Sequence, residues 1–263
     1  DDSKAFSCWG MVSGQNLKQI AVSKKGGFYI HSRNILNRPC PTGGEPWVVN
    51  IVPCGLTTVH SPYLNNGHQP IHTVEPRITD NKDGSYFVQY FAPTVAGQYD
   101  IHIKLHGSHL PGSPFPLRVL PGPPVVANTV RLDAKGGVVD AGSSAVPMAV
   151  HPHRPFRLVF QTMDELGNRC LKPQKGLAFT AKGPSSVALE PVVDGRNGQY
   201  TLQFKARSKG DFAITLSCNE EPIAGSPFPF ICSVPKSKAK AKKASKTRKS
   251  QTTQDRLYRP SQF

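Results

Sequence analysis

Apolar and polar residues alternate along several short stretches of the chain, which is the pattern of β-strands half-buried in a sheet. The clearest examples have an apolar residue at every second position: Tyr86, Val88 and Tyr90, then Tyr99, Ile101 and Ile103. No long stretch keeps a helical spacing of apolar residues without an interrupting proline or glycine. The chain has 25 prolines, 23 glycines and only 19% charged residues, a composition typical of short strands joined by turns. The pattern predicts an all-β protein.

The second half of the chain repeats the pattern of the first. The stretch from Gly84 to Val119 pairs with the stretch from Gly198 to Val234, strand for strand. The segment GSPFP recurs intact, at Gly112–Pro116 and Gly225–Pro229. A period of about 113 residues is too long for a solenoid unit, whereas 263 residues can supply two domains that each bury a core. We therefore predict two tandem domains.

Several segments in the two copies carry a family resemblance. The first copy has DNKDGSY at Asp80–Tyr86, PTVAGQYDIHI at Pro93–Ile103 and HLPGSPF at His109–Phe115. The second has DGRNGQY at Asp194–Tyr200 and PIAGSPF at Pro222–Phe228. An aspartate-rich turn, a Pro-X-X-X-Gly corner and a Gly-Ser-Pro-Phe segment, in this order, resemble the filamin repeat. The resemblance implies that each copy is an immunoglobulin-like β-sandwich. The sequence lacks the paired calponin-homology region with which filamins bind actin.

These observations divide the chain into three predicted regions. A first repeat is expected at residues 1–120, a second at 121–234 and a basic tail at 235–263. Both repeats exceed the usual length of the family. The first has an insertion of about 20 residues at Cys54–Thr73, and the second has its extra length around Gly136–Pro155.

The resemblance also implies a binding surface, the groove between strands C and D, where a partner peptide adds a strand to the sheet edge. We assign strand C to Trp47–Val52 in the first repeat and to Leu177–Lys182 in the second, and strand D of the second to Val187–Pro191. The groove residues are the apolar positions of one parity: Trp47, Val49 and Ile51 in the first repeat, and Leu177, Phe179, Ala181, Val187 and Leu189 in the second. The alternative is that these side chains belong simply to the core. We expect the Cys54–Thr73 insertion to cover or reshape the first groove, which leaves the second repeat the freer one.

The cysteines do not form an obvious disulfide framework. They lie at positions that do not match between the two copies: Cys8, Cys40, Cys54, Cys170, Cys218 and Cys232. Neither copy has the Cys, Trp and Cys spacing of an antibody domain, and no Asn-X-Ser/Thr sequon occurs. We predict reduced cysteines. A bridge between Cys218 and Cys232, on successive predicted strands, is the leading oxidised alternative.

Neither catalysis nor metal binding is indicated by the motifs. The histidines near one another in sequence are His60, His68 and His72, then His102, His106 and His109. None stands with the close cysteine pair of a structural zinc site, and we expect the last three to alternate along a strand and its loop without converging. No nucleophile elbow, P-loop or dinucleotide fingerprint appears. We predict a non-enzymatic protein with no cofactor and no metal.

The positive charge belongs mainly to the tail. The whole chain carries +15, and ten Lys/Arg against one Asp give +9 within residues 235–263. The residues expected to bind a polyanion are the tail's clustered cations: Lys236, Lys238, Lys240, Lys242, Lys243, Lys246, Arg248 and Lys249. With little to bury, the tail is predicted to be disordered alone. Its partners would be acidic tubulin tails, anionic lipid or nucleic acid, the last without sequence preference because no aromatics are interleaved; a purely solvated tail is the alternative.

Together these features favour a cytoskeletal scaffold module in the cytoplasm that binds partner peptides and grips an acidic lattice such as a microtubule or cilium. The rival hypothesis is an extracellular or gamete-surface adhesion protein, since filamin-like repeats also occur in such ectodomains. A third is a nucleic-acid regulator that binds RNA through the tail. No apolar run approaches the roughly 18 residues of a membrane span, and no signal peptide is recognisable in a sequence that starts at Asp1 rather than Met.

Overall fold

Four β-sheets, two in each half of the chain, make up the structure. The computed structural model describes residues 9–54, 73–139, 147–172, 174–223 and 225–234. In each half the two sheets enclose one hydrophobic core, and the two cores share no residue. The predicted all-β fold of two immunoglobulin-like sandwiches is thus confirmed. The predicted disordered tail and nearly all of the Cys54–Thr73 insertion lie outside the described residues.

The described residues of the first sandwich form nine strands. In chain order they are β1 (Met11–Ser13), β2 (Gln19–Ala21), β3 (Lys25–His31), β4 (Trp47–Pro53), β5 (Arg77–Asp80), β6 (Ser85–Phe91), β7 (Gly97–Leu105), β8 (Ser108–His109) and β9 (Phe115–Leu120). A short 3-10 helix, Gln15–Leu17, separates β1 from β2. One sheet has the order β1-β3-β6-β5 and the other β2-β9-β7-β4, with β8 extending β7 as a hairpin. All pairs are antiparallel except β2 with β9.

The second sandwich repeats this plan. Its strands are β10 (Val125–Leu132), β11 (Val138–Val139), β12 (Met148–Val150), β13 (Phe156–Met163), β14 (Leu177–Lys182), β15 (Val187–Leu189), β16 (Val193–Asp194), β17 (Gln199–Ala206), β18 (Gly210–Cys218), β19 (Glu221–Pro222) and β20 (Phe228–Cys232). One sheet has the order β11-β10-β13-β17-β15, with β16 also on β17, and the other β12-β20-β18-β14, with β19 on β18. The parallel pair β12 with β20 corresponds to β2 with β9.

The alternation in the sequence decides which side chains enter the cores. The strand residues predicted to share one face are all buried: Tyr86, Val88, Tyr90, Tyr99, Ile101 and Ile103 in the first sandwich, and Tyr200, Leu202, Phe204, Ile214 and Leu216 in the second. Buried tyrosines keep their hydroxyls satisfied, as when Tyr99 donates to the Val95 carbonyl at 2.9 Å. The same parity therefore forms both cores.

Strand C is found where it was predicted in both repeats, while strand D is shorter than predicted. β14 spans Leu177–Lys182, as expected, and β4 extends the predicted Trp47–Val52 by one residue. β15 ends at Leu189 instead of Pro191. The Glu190 amide still bonds to the Gln203 carbonyl at 2.9 Å, but Pro191 has no N–H with which to continue the ladder.

The Cys218–Cys232 bridge is wrong, and all five described cysteines are free thiols. The two residues do lie on neighbouring strands, but the antiparallel register places Cys232 opposite Gly210, at the other end of β18 from Cys218. Eight residues of strand separate those positions, about 27 Å at roughly 3.4 Å per residue. A disulfide joins Cα atoms less than about 7 Å apart.

Candidate functional site

The flank of the second sandwich between β14 and β15 is open on both sides. Of the described strands, β14 ends one sheet and pairs with β18 alone, while β15 ends the other sheet and pairs with β17 alone. Among the described residues no strand or isolated bridge pairs with the outer edge of β14. This flank is the predicted C–D groove.

Half-buried apolar side chains form the floor of this flank. Leu177, Phe179 and Ala181 are partly exposed and pack against the second core. The Phe179 ring lies 5.9 Å from the ring of the buried Phe160, centroid to centroid. Across the flank, Val187 also packs partly buried against the core, and Leu189 at the end of β15 is 36% exposed. The five residues predicted for the second groove therefore line one flank.

The main chain of β14 presents its outward hydrogen-bonding groups at the same residues. Ala181 lies opposite Ile214 in the second sandwich, as Ile51 lies opposite the matching Ile101 in the first. Both the N–H and the C=O of Ile51 point away from β7, since they bond to another segment. Because the pattern alternates along an antiparallel strand, the matching groups of Ala181 and Phe179 face outward too. An added strand would find apolar pockets and main-chain partners at one edge.

The first sandwich differs, because its own chain occupies the matching edge. The Ile51 amide donates to the Val74 carbonyl at 2.9 Å, and the Val74 amide donates back to the Ile51 carbonyl at 2.9 Å. Val74 also packs against the first core. The three side chains predicted to line this groove point into that core, with Trp47 6%, Val49 4% and Ile51 0% exposed. Trp47 donates its indole N–H to the Ser32 hydroxyl at 3.1 Å, as a buried core tryptophan does.

Val74 is the residue at this edge that the sequence analysis missed. It follows the predicted insertion and stands alone between Thr73 and Glu75, so it does not form an alternating pattern. The available signal was a single β-branched residue among polar ones. Its role depends on a pairing with β4, about 23 residues earlier in the chain.

One expectation about histidines is wrong: two of them do approach each other. The rings of His102 and His109 lie in edge contact with centroids 5.4 Å apart. The β7–β8 hairpin causes this, because it folds His109 back opposite Lys104. His106 instead faces Glu45, with 3.9 Å between its Nε2 and a carboxylate oxygen. In the described part of the chain no group of three or more candidate metal ligands occurs.

Comparison with known families agrees with the two-sandwich architecture. The Filamin/ABP280 repeat profile matches twice, at residues 10–116 and 134–229, which together make up more than half of the chain. The chain belongs to the filamin repeat family. Each match lies within one sandwich, and β10 precedes the second match.

The similar proteins are mostly much longer than this chain. It is 31% identical to rat Filamin-C over 156 residues, which cover 59% of the chain and 5% of that protein. It is 28% identical to Drosophila melanogaster Filamin-A over 146 residues, or 56% of the chain and 6% of that protein. Mouse tripartite motif-containing protein 3 is 36% identical over 76 residues, 28% of the chain and 10% of that protein. The chain thus spans a small fraction of these relatives.

Solved structures share the fold at low sequence identity. Invasin, described as a bacterial integrin-binding protein, superimposes with a TM-score of 0.52 at 14% identity, covering 88% of this chain and 41% of that one. InvD of Yersinia pseudotuberculosis gives a TM-score of 0.51 at 16% identity, covering 85% and 57%. These likenesses show the tandem sandwich fold alone.

Filamin repeats are non-catalytic modules that bind other proteins. This chain is therefore a protein-interaction module made of two such repeats. No helix in the described part of the chain is long and apolar enough to cross a membrane.

Proposed function

We propose that the second filamin repeat binds partner proteins by accepting an extended peptide strand on the outer edge of β14, over the groove toward β15. The observation that supports this most directly is the edge of β14 above half-buried Phe179 and Ala181, with which no described strand pairs. Exposed main-chain groups at an edge supply affinity, and pockets for alternate side chains supply specificity. A free apolar edge that serves no partner would be an aggregation risk.

The chemistry of the groove favours an apolar strand as the partner. Lys182 is the only charged side chain on β14, and β15 has none. A peptide with an apolar residue at every second position would place those residues between the two strands, over Ala181 and Val187. Its other residues would face solvent beside exposed Ala178 and Thr180.

We propose that the first repeat, unlike the second, does not accept a peptide strand at its C–D edge. Its strand C already pairs with Val74 at Ile51, and its three predicted groove side chains are core. The proposed contact set is therefore Leu177, Phe179, Ala181, Val187 and Leu189. Trp47, Val49 and Ile51 are proposed to serve the first core instead of a partner.

Ala181→Glu tests the groove, with Thr180→Glu as its matched control on the same strand. Peptides are first selected for binding to the full chain from a phage-displayed library of short random peptides. Binding of the selected peptides is then measured for both variants by calorimetry. We expect Ala181→Glu to weaken binding by more than about tenfold, or roughly 1.4 kcal/mol, because the carboxylate enters the apolar groove. Thr180→Glu points away and should bind normally.

Hydrogen exchange identifies where the selected peptides bind. A strand added to β14 should slow exchange of the Phe179 and Ala181 amides, which face outward. Normal binding by Ala181→Glu, or protection confined to other strands, would overturn the proposed groove.

The basic tail is proposed as a second contact that binds an acidic partner, such as the microtubule lattice, in the cytoplasm. The proposed domain boundaries lie at 120/121 and 234/235. Its support is the local charge of +9 in residues 235–263, since such charge attracts polyanions in a salt-dependent way. Co-sedimentation with microtubules should require residues 235–263 and weaken as salt rises. It should fail with microtubules whose acidic tubulin tails have been removed by protease. Equal sedimentation without residues 235–263 would refute the tail's role.

A further inference from the structure

A buried asparagine of the second repeat reaches across to the first. Asn168 lies in the turn after β13, is 4% exposed, and donates from its Nδ2 to the Thr94 carbonyl at 2.9 Å. Its Oδ1 accepts from the Ala96 amide at 2.8 Å. Thr94 and Ala96 belong to the corner between β6 and β7 of the first repeat. One side-chain amide thus satisfies a carbonyl and an N–H two residues apart, as a neighbouring strand would.

A buried carboxylate holds this asparagine and the linker together. Asp164 is 1% exposed, and its Oδ1 accepts from the amides of Leu166 at 2.9 Å and Asn168 at 2.8 Å. Its Oδ2 accepts from the Gly122 amide, in the segment joining the repeats, at 2.8 Å, and from the Asn168 Nδ2 at 3.0 Å. Linker, turn and neighbouring repeat are therefore joined in one buried network. Hydrogen bonds to a charged acceptor are stronger than neutral ones.

The matching turn of the first repeat shows that the turn itself does not need this asparagine. Asn34 accepts from the amides of Leu36 and Arg38 just as Asp164 accepts from Leu166 and Asn168. The backbone bond from Asn34 to the Arg38 carbonyl, at 2.9 Å, has its counterpart between Asp164 and Asn168. Arg38, in the place of Asn168, is exposed. The side-chain amide at 168 therefore serves the junction rather than the local fold.

No hydrophobic core of the described residues extends across the junction. The two cores are separate, and the strand pairs in extensive contact each lie within one repeat. A cleft of about 280 Å³ lies between the repeats, and its lining mixes polar residues such as Gln98 and Gln161 with apolar ones such as Leu120 and Leu171. Val95, between the two residues that bond Asn168, is only 7% exposed although it lies outside the first core cluster. The hydrogen bonds of Asn168 to Thr94 and Ala96 supply directional contacts between the repeats in addition to this packing.

We propose that Asn168, supported by Asp164, is an inter-repeat clamp that holds the two filamin repeats as one rigid body. The clamp fixes the direction in which the β14 edge faces relative to the first repeat. A tandem with this clamp keeps one relative orientation of its repeats, whereas a pair joined only by Pro121–Pro124 would move as two bodies.

Residual dipolar couplings of the full chain test the clamp. In a weakly aligning medium, the wild-type repeats should fit one common alignment tensor. Asn168→Ala should give two tensors that differ in orientation and magnitude, and a shorter rotational correlation time for each repeat. Arg38→Ala, the matched change in the first repeat, should leave the single tensor intact.

Asn168→Arg is a second variant that should fold normally, because the equivalent turn of the first repeat carries arginine at this position. Arginine donates but cannot accept, so the bond from the Ala96 amide is lost and two tensors are expected. Well-dispersed amide spectra establish that both repeats of each variant are folded. Two tensors in the wild type, or one tensor in both Asn168 variants, would overturn the clamp.

Discussion

At the scale of single residues, two equivalent glycines hold the same place in each repeat. Gly84 and Gly198 have φ angles of +82° and +75°, a region that L side chains rarely adopt. A Cβ on Gly84 would collide with the Cys40 carbonyl oxygen, and one on Gly198 with the Cys170 carbonyl oxygen. The amides of Ser32 and Thr162 bond to the carbonyls of these two glycines at 2.8 and 2.9 Å. Close approach of two backbones is thus why glycine occurs here.

Gly84→Ala should therefore destabilise the first repeat much more than Gly107→Ala. Gly107 has a matching φ of +81° but nothing within 4 Å of the added Cβ. Its equivalent in the second repeat is Glu220 at φ +72°, so the conformation itself tolerates a side chain. We expect Gly107→Ala to cost about 1 kcal/mol, and Gly84→Ala roughly 2 kcal/mol more from the collision. Denaturant unfolding followed by tryptophan fluorescence measures both, and equal losses would contradict the steric explanation.

Cysteine reactivity should follow burial and local charge. Burial raises the pKa of Cys170 to about 11, and Asp164 adds to the shift. The pKa of exposed Cys54 is raised chiefly by the charge of Asp100. Since the thiolate is the reactive form, Asp100→Asn should lower the Cys54 pKa and speed its alkylation at neutral pH. Asp133→Asn in the second repeat is the control, and peptide mapping of iodoacetamide labelling is the measurement. An unchanged rate at Cys54 in Asp100→Asn would show that Asp100 does not control this thiol.

At the scale of strands, prediction succeeded where the pattern was local. Strand C was predicted to the residue in the second repeat because LAFTAK alternates and is bounded by glycines at 176 and 183. The open flank beside it followed from the family resemblance, which orders the strands. Pairing between distant segments left no such pattern. The bridge from Val74 to Ile51 was not predicted. The prediction for this flank concerned the Cys54–Thr73 insertion, nearly all of which lies outside the described residues.

The Val74 bridge also explains why the two C–D flanks differ. In the second repeat β15 pairs with the C-terminal end of β17, at Phe204–Ala206. In the first, β5 pairs with β6 only over Arg77–Asp80, and Val74 before it pairs with β4 in the opposite sheet. In the first repeat the chain therefore crosses from β4 in one sheet to β5 in the other, and Val74 occupies the edge of β4 to which a peptide ligand would bind.

Val74→Pro should open the first flank. Proline has no N–H to donate to the Ile51 carbonyl, so the two-bond bridge is broken while the core strands remain. We expect exchange of the Ile51 amide to accelerate about tenfold or more, as local opening becomes easier. Val74→Thr keeps the N–H and a β-branched shape, and should exchange at nearly the wild-type rate. Nuclear magnetic resonance of both variants measures this, and slow exchange in Val74→Pro would mean that the bridge does not protect the edge.

At the scale of the whole molecule, the sequence predicts two repeats but not the contact between them. The internal repeat and the GSPFP segments identify two domains because each is a local pattern. The contact of Asn168 with Thr94 and Ala96 joins residues more than 70 positions apart through one side chain. An isolated Asn in a turn is normally explained by its own backbone conformation. Only the folded arrangement distinguishes a turn residue from a link between domains.

Separate cores predict that the repeats lose structure in separable steps. Both tryptophans, Trp9 and Trp47, lie in the first repeat, so tryptophan fluorescence reports that repeat alone. Ile101→Ala and Ile214→Ala remove equivalent, fully buried side chains from the two cores, each at a cost of about 3 kcal/mol. Ile101→Ala should shift the fluorescence transition to lower denaturant, whereas Ile214→Ala should leave it in place and shift only the circular dichroism transition of the second repeat. If Ile214→Ala moved the fluorescence transition equally, the junction around Asn168 would be strong enough to make the tandem a single cooperative unit.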